Sequence, residues 1–95
     1  MQLYAIRRRG AWKTPQELEA AAAKSSQIGT EEMSDQVRWI RSYVINEPDG
    51  TIGTICIYEA RDPESIREHA QRVGMPGDDI SPIANTVIIR EDPAL

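Results

Sequence analysis

Two runs of strand character, VRWIRSYVIN over residues 37–46 and TIGTICIYEA over 51–60, stand on either side of Glu47-Pro48-Asp49-Gly50. β-Branched and aromatic residues favour the pleated strand, and Pro, Asp and Gly supply the dihedrals of a tight turn, so the pattern predicts a hairpin. A four-residue loop pairs Asn46 with Thr51 and fixes the register. Val44 then opposes Gly53, Ser42 opposes Ile55, Ile40 opposes Ile57 and Arg38 opposes Glu59, an aliphatic face. The other face carries Val37, Trp39, Arg41, Tyr43 and Ile45 against Ala60, Tyr58, Cys56, Thr54 and Ile52, an aromatic face.

After the hairpin, Asp62-Pro63-Glu64 has the form of a helix start: a capping carboxylate, Pro at the first helical position and an acidic residue at the positive end of the dipole. Gly74 is the stop, with Pro76 beyond it. Ile66, Ala70 and Val73 share one side and should meet the sheet, with His69 beside them, while Arg67, Glu68, Gln71 and Arg72 take the solvent side. Before the hairpin, residues 2–9 read as a strand with apolar residues on both faces, which suits a central position. Thr14-Pro15-Gln16-Glu17 is a capping box opening a helix whose inner side, Leu18, Ala21, Ala22, Ser25 and Ile28, is largely alanine, and Gly29 is its expected end. So small a face lets the helix lie close to the sheet or leaves space beneath it. Residues 81–90 read as a last strand, strongest at Thr86-Val87-Ile88-Ile89, with Pro82 favouring an edge, and 91–95 form a tail.

The order β-α-β-β-α-β predicts a ferredoxin-like α+β sandwich in one domain over residues 1–95, a four-stranded, mainly antiparallel sheet with both helices on one face. Right-handed crossovers place the first and third strands in the middle. The aliphatic face of the hairpin is the expected helix side. Trp39, Arg41, Tyr43, Cys56 and Tyr58 are then left uncovered, more apolar surface than a monomer usually exposes, and this predicts a homodimer closed face to face as a dimeric α+β barrel.

Composition narrows the function. The chain has 95 residues and a formal net charge of -4, which argues against nucleic acid as a partner. Arg7-Arg8-Arg9 beside Tyr4 and Tyr58 invites comparison with RNA-recognition modules, but the third strand lacks their aromatic-glycine signature, so alternate arginines are expected to point to solvent. No apolar run reaches the roughly 20 residues of a membrane span. Met1 leads straight into a strand pattern, and the one cysteine has no internal partner, so a cytoplasmic protein is expected.

The segments Trp39-Ile40-Arg41-Ser42-Tyr43-Val44 and Cys56-Ile57-Tyr58-Glu59-Ala60, the stretch 70–80, and Arg9-Gly10 followed by Thr14-Pro15-Gln16-Glu17-Leu18 resemble a family of small bacterial nickel-responsive or nickel-binding-like proteins. That resemblance spans nearly the whole chain. It implies a ferredoxin-like fold, dimerisation, and binding of nickel or another divalent metal. His69 is the only histidine the chain offers for the ion.

The residues themselves suggest a small-ligand or metal-binding protein. His69 is a candidate base or metal ligand. Arg38 and Glu59 are expected as cross-strand neighbours near it, so Arg38, Ser42, Glu59 and His69 are the candidate ligand-binding residues of a pocket under the first helix. The alternative is a cofactor-free enzyme of the dimeric barrel type, an isomerase, cyclase or monooxygenase, with His69 as base and Glu59 or Tyr43 assisting. Cys56, without a histidine neighbour, is expected as a small buried filler.

Overall fold

The computed structural model describes residues 1–93; Ala94 and Leu95, the end of the expected tail, lie outside the described residues. The elements are β1 (Gln2–Trp12), α1 (Pro15–Glu31), β2 (Val37–Asn46), β3 (Ile52–Ala60), α2 (Pro63–Val73) and β4 (Ile80–Pro82). They form one antiparallel sheet in the order β2-β3-β1-β4, the ferredoxin-like arrangement with β3 and β1 central.

Both helices start where the caps dictate. Thr14 Oγ1 accepts the Glu17 amide at 3.2 Å ahead of Pro15, and Asp62 Oδ1 accepts the Ser65 amide at 2.7 Å ahead of Pro63. Gly74 closes α2 in the left-handed region, φ 89°, its amide bonded to the Ala70 carbonyl. Gly29 does not close α1, which continues to Glu31. Gly29 keeps a negative φ, so nothing turns the chain there.

The sheet is covered on the side opposite to the one the pattern suggested. Tyr4, Ile6 and Arg8 of β1 and Thr54, Cys56, Tyr58 and Ala60 of β3 are buried beneath the helices, against Ile28, Ile66, His69 and Val73. The aromatic face is therefore the core face. Covering the aliphatic face would have buried the Glu59 carboxylate, whereas this set of β3 residues carries no charge and brings the large Tyr58 ring inside.

The hairpin register also departs from regular pairing. Arg38 opposes Glu59 and Trp39 opposes Tyr58 as expected, but the next pairs are Arg41 with Ile57, Ser42 with Cys56 and Val44 with Thr54. Ile40 is one residue too many, a β-bulge. Because side chains alternate, one extra residue turns everything after it to the other face. Val37 and Trp39 stay on the helix side, joined by Ser42 and Val44, while Arg41, Tyr43 and Ile45 turn to the open face. The set Trp39, Arg41, Tyr43, Cys56 and Tyr58 is thus divided between two faces.

The last strand is three residues long, not ten. It pairs Tyr4–Ile6 with Ile80–Pro82, and the Ile83 amide adds one bond to the Leu3 carbonyl. Continuing this register would bring β1 to its own start at about residue 84, so Thr86-Val87-Ile88-Ile89 has no strand left to pair with. Residues 83–93 instead pass over the open face. There Asp92 Oδ2 accepts bonds from Tyr43 Oη at 2.7 Å and Arg41 Nη1 at 3.2 Å. Val87, Ile88 and Ile89 remain 79%, 62% and 87% exposed.

Candidate functional site

The alanine side of α1 does leave space. A cavity of about 530 Å³ lies between α1 and the sheet, within the size range of small-molecule sites. Leu18, Ala21 and Ala22 form its roof, Trp12 and Met75 its ends, and Trp39, Val44, Thr54, Cys56 and Tyr58 its floor and side wall. Ser42 lines it too, because the Ile40 bulge turns that residue inward. The Trp39 indole N–H donates to Ser42 Oγ at 2.7 Å, and its ring stacks on Tyr58 at 6.3 Å between centroids. The tryptophan is held as a flat wall, 40% exposed at the β2 edge.

At the inner end is Arg8, only 1% exposed. Alternate arginines turn to the other face, as the strand pattern predicts, and Arg8, between them, points inward. The alternation Tyr4-Ile6-Arg8 along β1 carries the signal, since residues two apart share a face. Arg8 Nε donates to the Pro76 carbonyl and Nη1 to Cys56 Sγ at 3.2 Å, while the Cys56 thiol donates to Thr54 Oγ1 at 3.3 Å. Arg8 Nη2 is buried and has no hydrogen-bond partner among the described residues. Neither does Arg8 form an ion pair among them, whereas Arg7 and Arg9 pair with Glu47 and Asp79.

A second polar line runs from the cavity to α2. Tyr58 Oη and Ser25 Oγ share a hydrogen bond of 3.0 Å, and His69 Nε2 meets the Ser25 carbonyl at 3.0 Å. That carbonyl only accepts, so Nε2 carries the proton and Nδ1 is the bare acceptor. Nδ1 is buried without a partner among the described residues. Burial pushes the Tyr58 phenol above its ordinary pKa, partly offset by Ser25 and the nearby Arg8 charge. Burial also holds the His69 imidazole below its ordinary pKa; the Ser25 carbonyl opposes this, and the Arg8 and Arg72 charges add to it.

A neutral buried imidazole stabilises the fold only while it stays neutral. Its contribution is complete above the unfolded value of about 6.5 and is lost as pH falls through the lower folded value. Thermal unfolding followed from pH 8 to pH 5 should therefore show Tm decreasing below about pH 6.5, with a flatter profile in His69→Gln. Glu47, whose pKa is lowered by the Arg7 guanidinium and the Gly10 amide, acts only in the carboxylate range below about 4.3.

The other candidate residues are dispersed. Arg38 and Glu59 do pair across the strands, at 3.8 Å, but the Arg38 side chain is 62% exposed and Glu59 alternates to the face opposite Tyr58 and His69. Tyr43 is also on that face, bound to Asp92. His69, Glu59 and Tyr43 therefore do not converge as a base with helpers. Of the expected ligand-binding set, Ser42 lines the cavity beneath α1, while Arg38 and His69 line a smaller one of about 310 Å³ beside Ser25 and Gly29.

A family model described as nickel responsive protein SCO4226-like matches residues 4–83. The chain belongs to this family. The crystal structure of SCO4226 from Streptomyces coelicolor A3(2) matches with a TM-score of 0.70, covering 90% of this chain and 99% of that one, at 17% identity. At that identity the likeness is one of fold. Comparison with curated proteins gives no match.

Nickel prefers a cluster of imidazole, thiolate or carboxylate donors. Among the described residues no three His, Cys, Asp or Glu side chains come together in that way. His69 of α2 offers one lone pair, at Nδ1. The described residues of one protomer therefore do not fit a nickel centre. Nor is any described helix long and apolar enough to cross a membrane.

Proposed function

We propose that the protein binds a small organic molecule in the cavity between α1 and the sheet. The observation that carries this reading is the cavity itself: about 530 Å³, mostly apolar, with one buried cationic side chain at its inner end. In a chain of 95 residues so large a space beneath a helix forgoes packing that the fold would otherwise gain. A ligand that binds only the native state returns that stabilisation by mass action. A thermal-shift screen of chelator-treated protein against small metabolites should give hits that Ala22→Phe, which fills the cavity from the roof, abolishes. A panel without such hits overturns the reading. Ni²⁺ belongs in the same screen because of the family's description. A nickel shift lost in His69→Ala would assign the ion to His69, whereas absence of any shift would remove nickel from the reading.

The protein acts as a homodimer on this reading. The open sheet face and the uncovered Val87-Ile88-Ile89 support it, since three adjacent exposed aliphatic residues with strand propensity suit a second copy better than water. Residues 83–93 already frame a groove of about 870 Å³ over that face with Ile40, Tyr43 and Ile57, and the partner's copy of the same surface is its occupant. Light scattering should give twice the chain mass at micromolar concentration, and Ile88→Asp should return the monomer. A chain that stays monomeric at high micromolar concentration excludes the dimer.

A further inference from the structure

The cavity bears directly on what kind of molecule enters it. We infer that the ligand is a monocarboxylate with an apolar or aromatic body, its carboxylate seated on Arg8; this rests on the cavity reading above. A guanidinium is always charged and carries five donors. Surface arginines meet that demand with water or carboxylates. Arg8 is 1% exposed, so water does not serve it, and no carboxylate of the described residues pairs with it. Its two protein bonds go to neutral acceptors, the Pro76 carbonyl and the Cys56 sulfur, and neither cancels the charge. Nη2 is left over, without a partner. Burying a cation in this way is costly unless something supplies both an opposite charge and an acceptor. A carboxylate supplies both, and it suits the planar guanidinium better than a spherical anion does.

The remainder of the lining sets the body of the ligand. Trp12, Leu18, Ala22 and Trp39 offer apolar surface and two aromatic rings, and the second arginine of the lining, Arg41, turns its guanidinium to the open face, where Asp92 neutralises it. Glu19, exposed at the rim, is the acidic residue of the lining and repels a second anionic group there. A phosphate or a dicarboxylate would thus bring charge that nothing in the cavity neutralises. An acyl chain or aryl ring attached to a single carboxylate matches the space, with its flat side against the Trp39 indole.

The test uses the full chain and isothermal titration with two acids, octanoate and indole-3-acetate, each beside its primary amide, and with inorganic phosphate. The amides keep the body and remove the charge. We expect at least one acid to bind about tenfold or more tightly than its amide, the usual weight of a charge-assisted bond, and phosphate to bind more weakly than that acid. Arg8→Gln should bring the acid down to its amide, and Ala22→Phe should abolish both. Equal affinity of acid and amide for the wild-type chain, or a preference that survives Arg8→Gln, overturns the carboxylate assignment while the cavity reading stands. Tighter phosphate overturns the apolar body. If no acid and no amide binds, the carboxylate assignment falls, and the metabolite screen alone decides the cavity reading. The wild-type acid–amide comparison decides the inference even where Arg8→Gln does not fold.

Discussion

Tyr58→Ala should lower stability by about 3–5 kcal/mol, the cost of emptying a large aromatic site in a packed core. Tyr58 is 1% exposed and touches three parts of the fold at once: it stacks on Trp39 of β2, lies 5.5 Å from the His69 ring of α2, and bonds Ser25 of α1. Small domains have roughly 5–15 kcal/mol in total, so denaturant unfolding of this variant should begin close to zero denaturant. Tyr58→Phe separates volume from polarity. It keeps the ring and removes only the hydroxyl bond, so a loss near 1 kcal/mol is expected. Equal losses for the two variants would mean that the hydroxyl, not the ring, dominates.

The second large effect is expected at Gly53. A Cβ there would come within 2.5 Å of the Arg8 carbonyl, 2.5 Å of Glu47 Oε2 and 2.7 Å of Arg7 Nη1. The first of these is backbone and cannot swing aside. Across from Gly53, β1 carries its own irregularity between Arg8 and Trp12, with Gly10 at φ 58°. Arg7 and Glu47 clasp this bulge. Arg7 donates to the Arg8 carbonyl at 3.0 Å, and Glu47 accepts from Arg7 at 2.9 Å and from the Gly10 amide at 2.8 Å. Gly53→Ala should therefore cost about 1–3 kcal/mol by overpacking, read as a fall in the denaturation midpoint. It should also displace the β1 segment that carries Arg8, so the nuclear magnetic resonance signals of Cys56 and Thr54 should move with those of the bulge. An unchanged midpoint would show that the strands part without cost.

Much of the fold was legible because its signals are local. Thr14-Pro15 and Asp62-Pro63 start helices by chemistry that needs no tertiary partner, and Gly74 ends one the same way. Strand order followed from crossover handedness alone. Three features were not local. The covered face of the hairpin depends on which set of β3 residues carries a charge, a comparison between faces and not within a strand. The bulge at Ile40 leaves no mark in composition. Strand propensity at 86–89 is real, but a strand also needs a partner, and β1 ends before that register reaches it. At the site, His69 was recognisable as a polar residue of an inner face, and so was the alternation within Arg7-Arg8-Arg9. Which of the three arginines turns inward was not, because that depends on which face the helices cover. Ser42 was placed on the aliphatic face and reaches the cavity only through the bulge at Ile40.

The bulge at Ile40 has a meaning for heredity. Loss of the Ile40 codon would leave Trp39 opposite Tyr58, Arg41 opposite Ile57, Ser42 opposite Cys56 and Val44 opposite Thr54, now in an unbroken ladder. Only a slip that paired Ile40 itself with Ile57 would carry Ser42 and Val44 out and bring Arg41 and Tyr43 in. One codon more or less at this place therefore leaves the inner face of the hairpin as it is, and chains that differ by it can share that face.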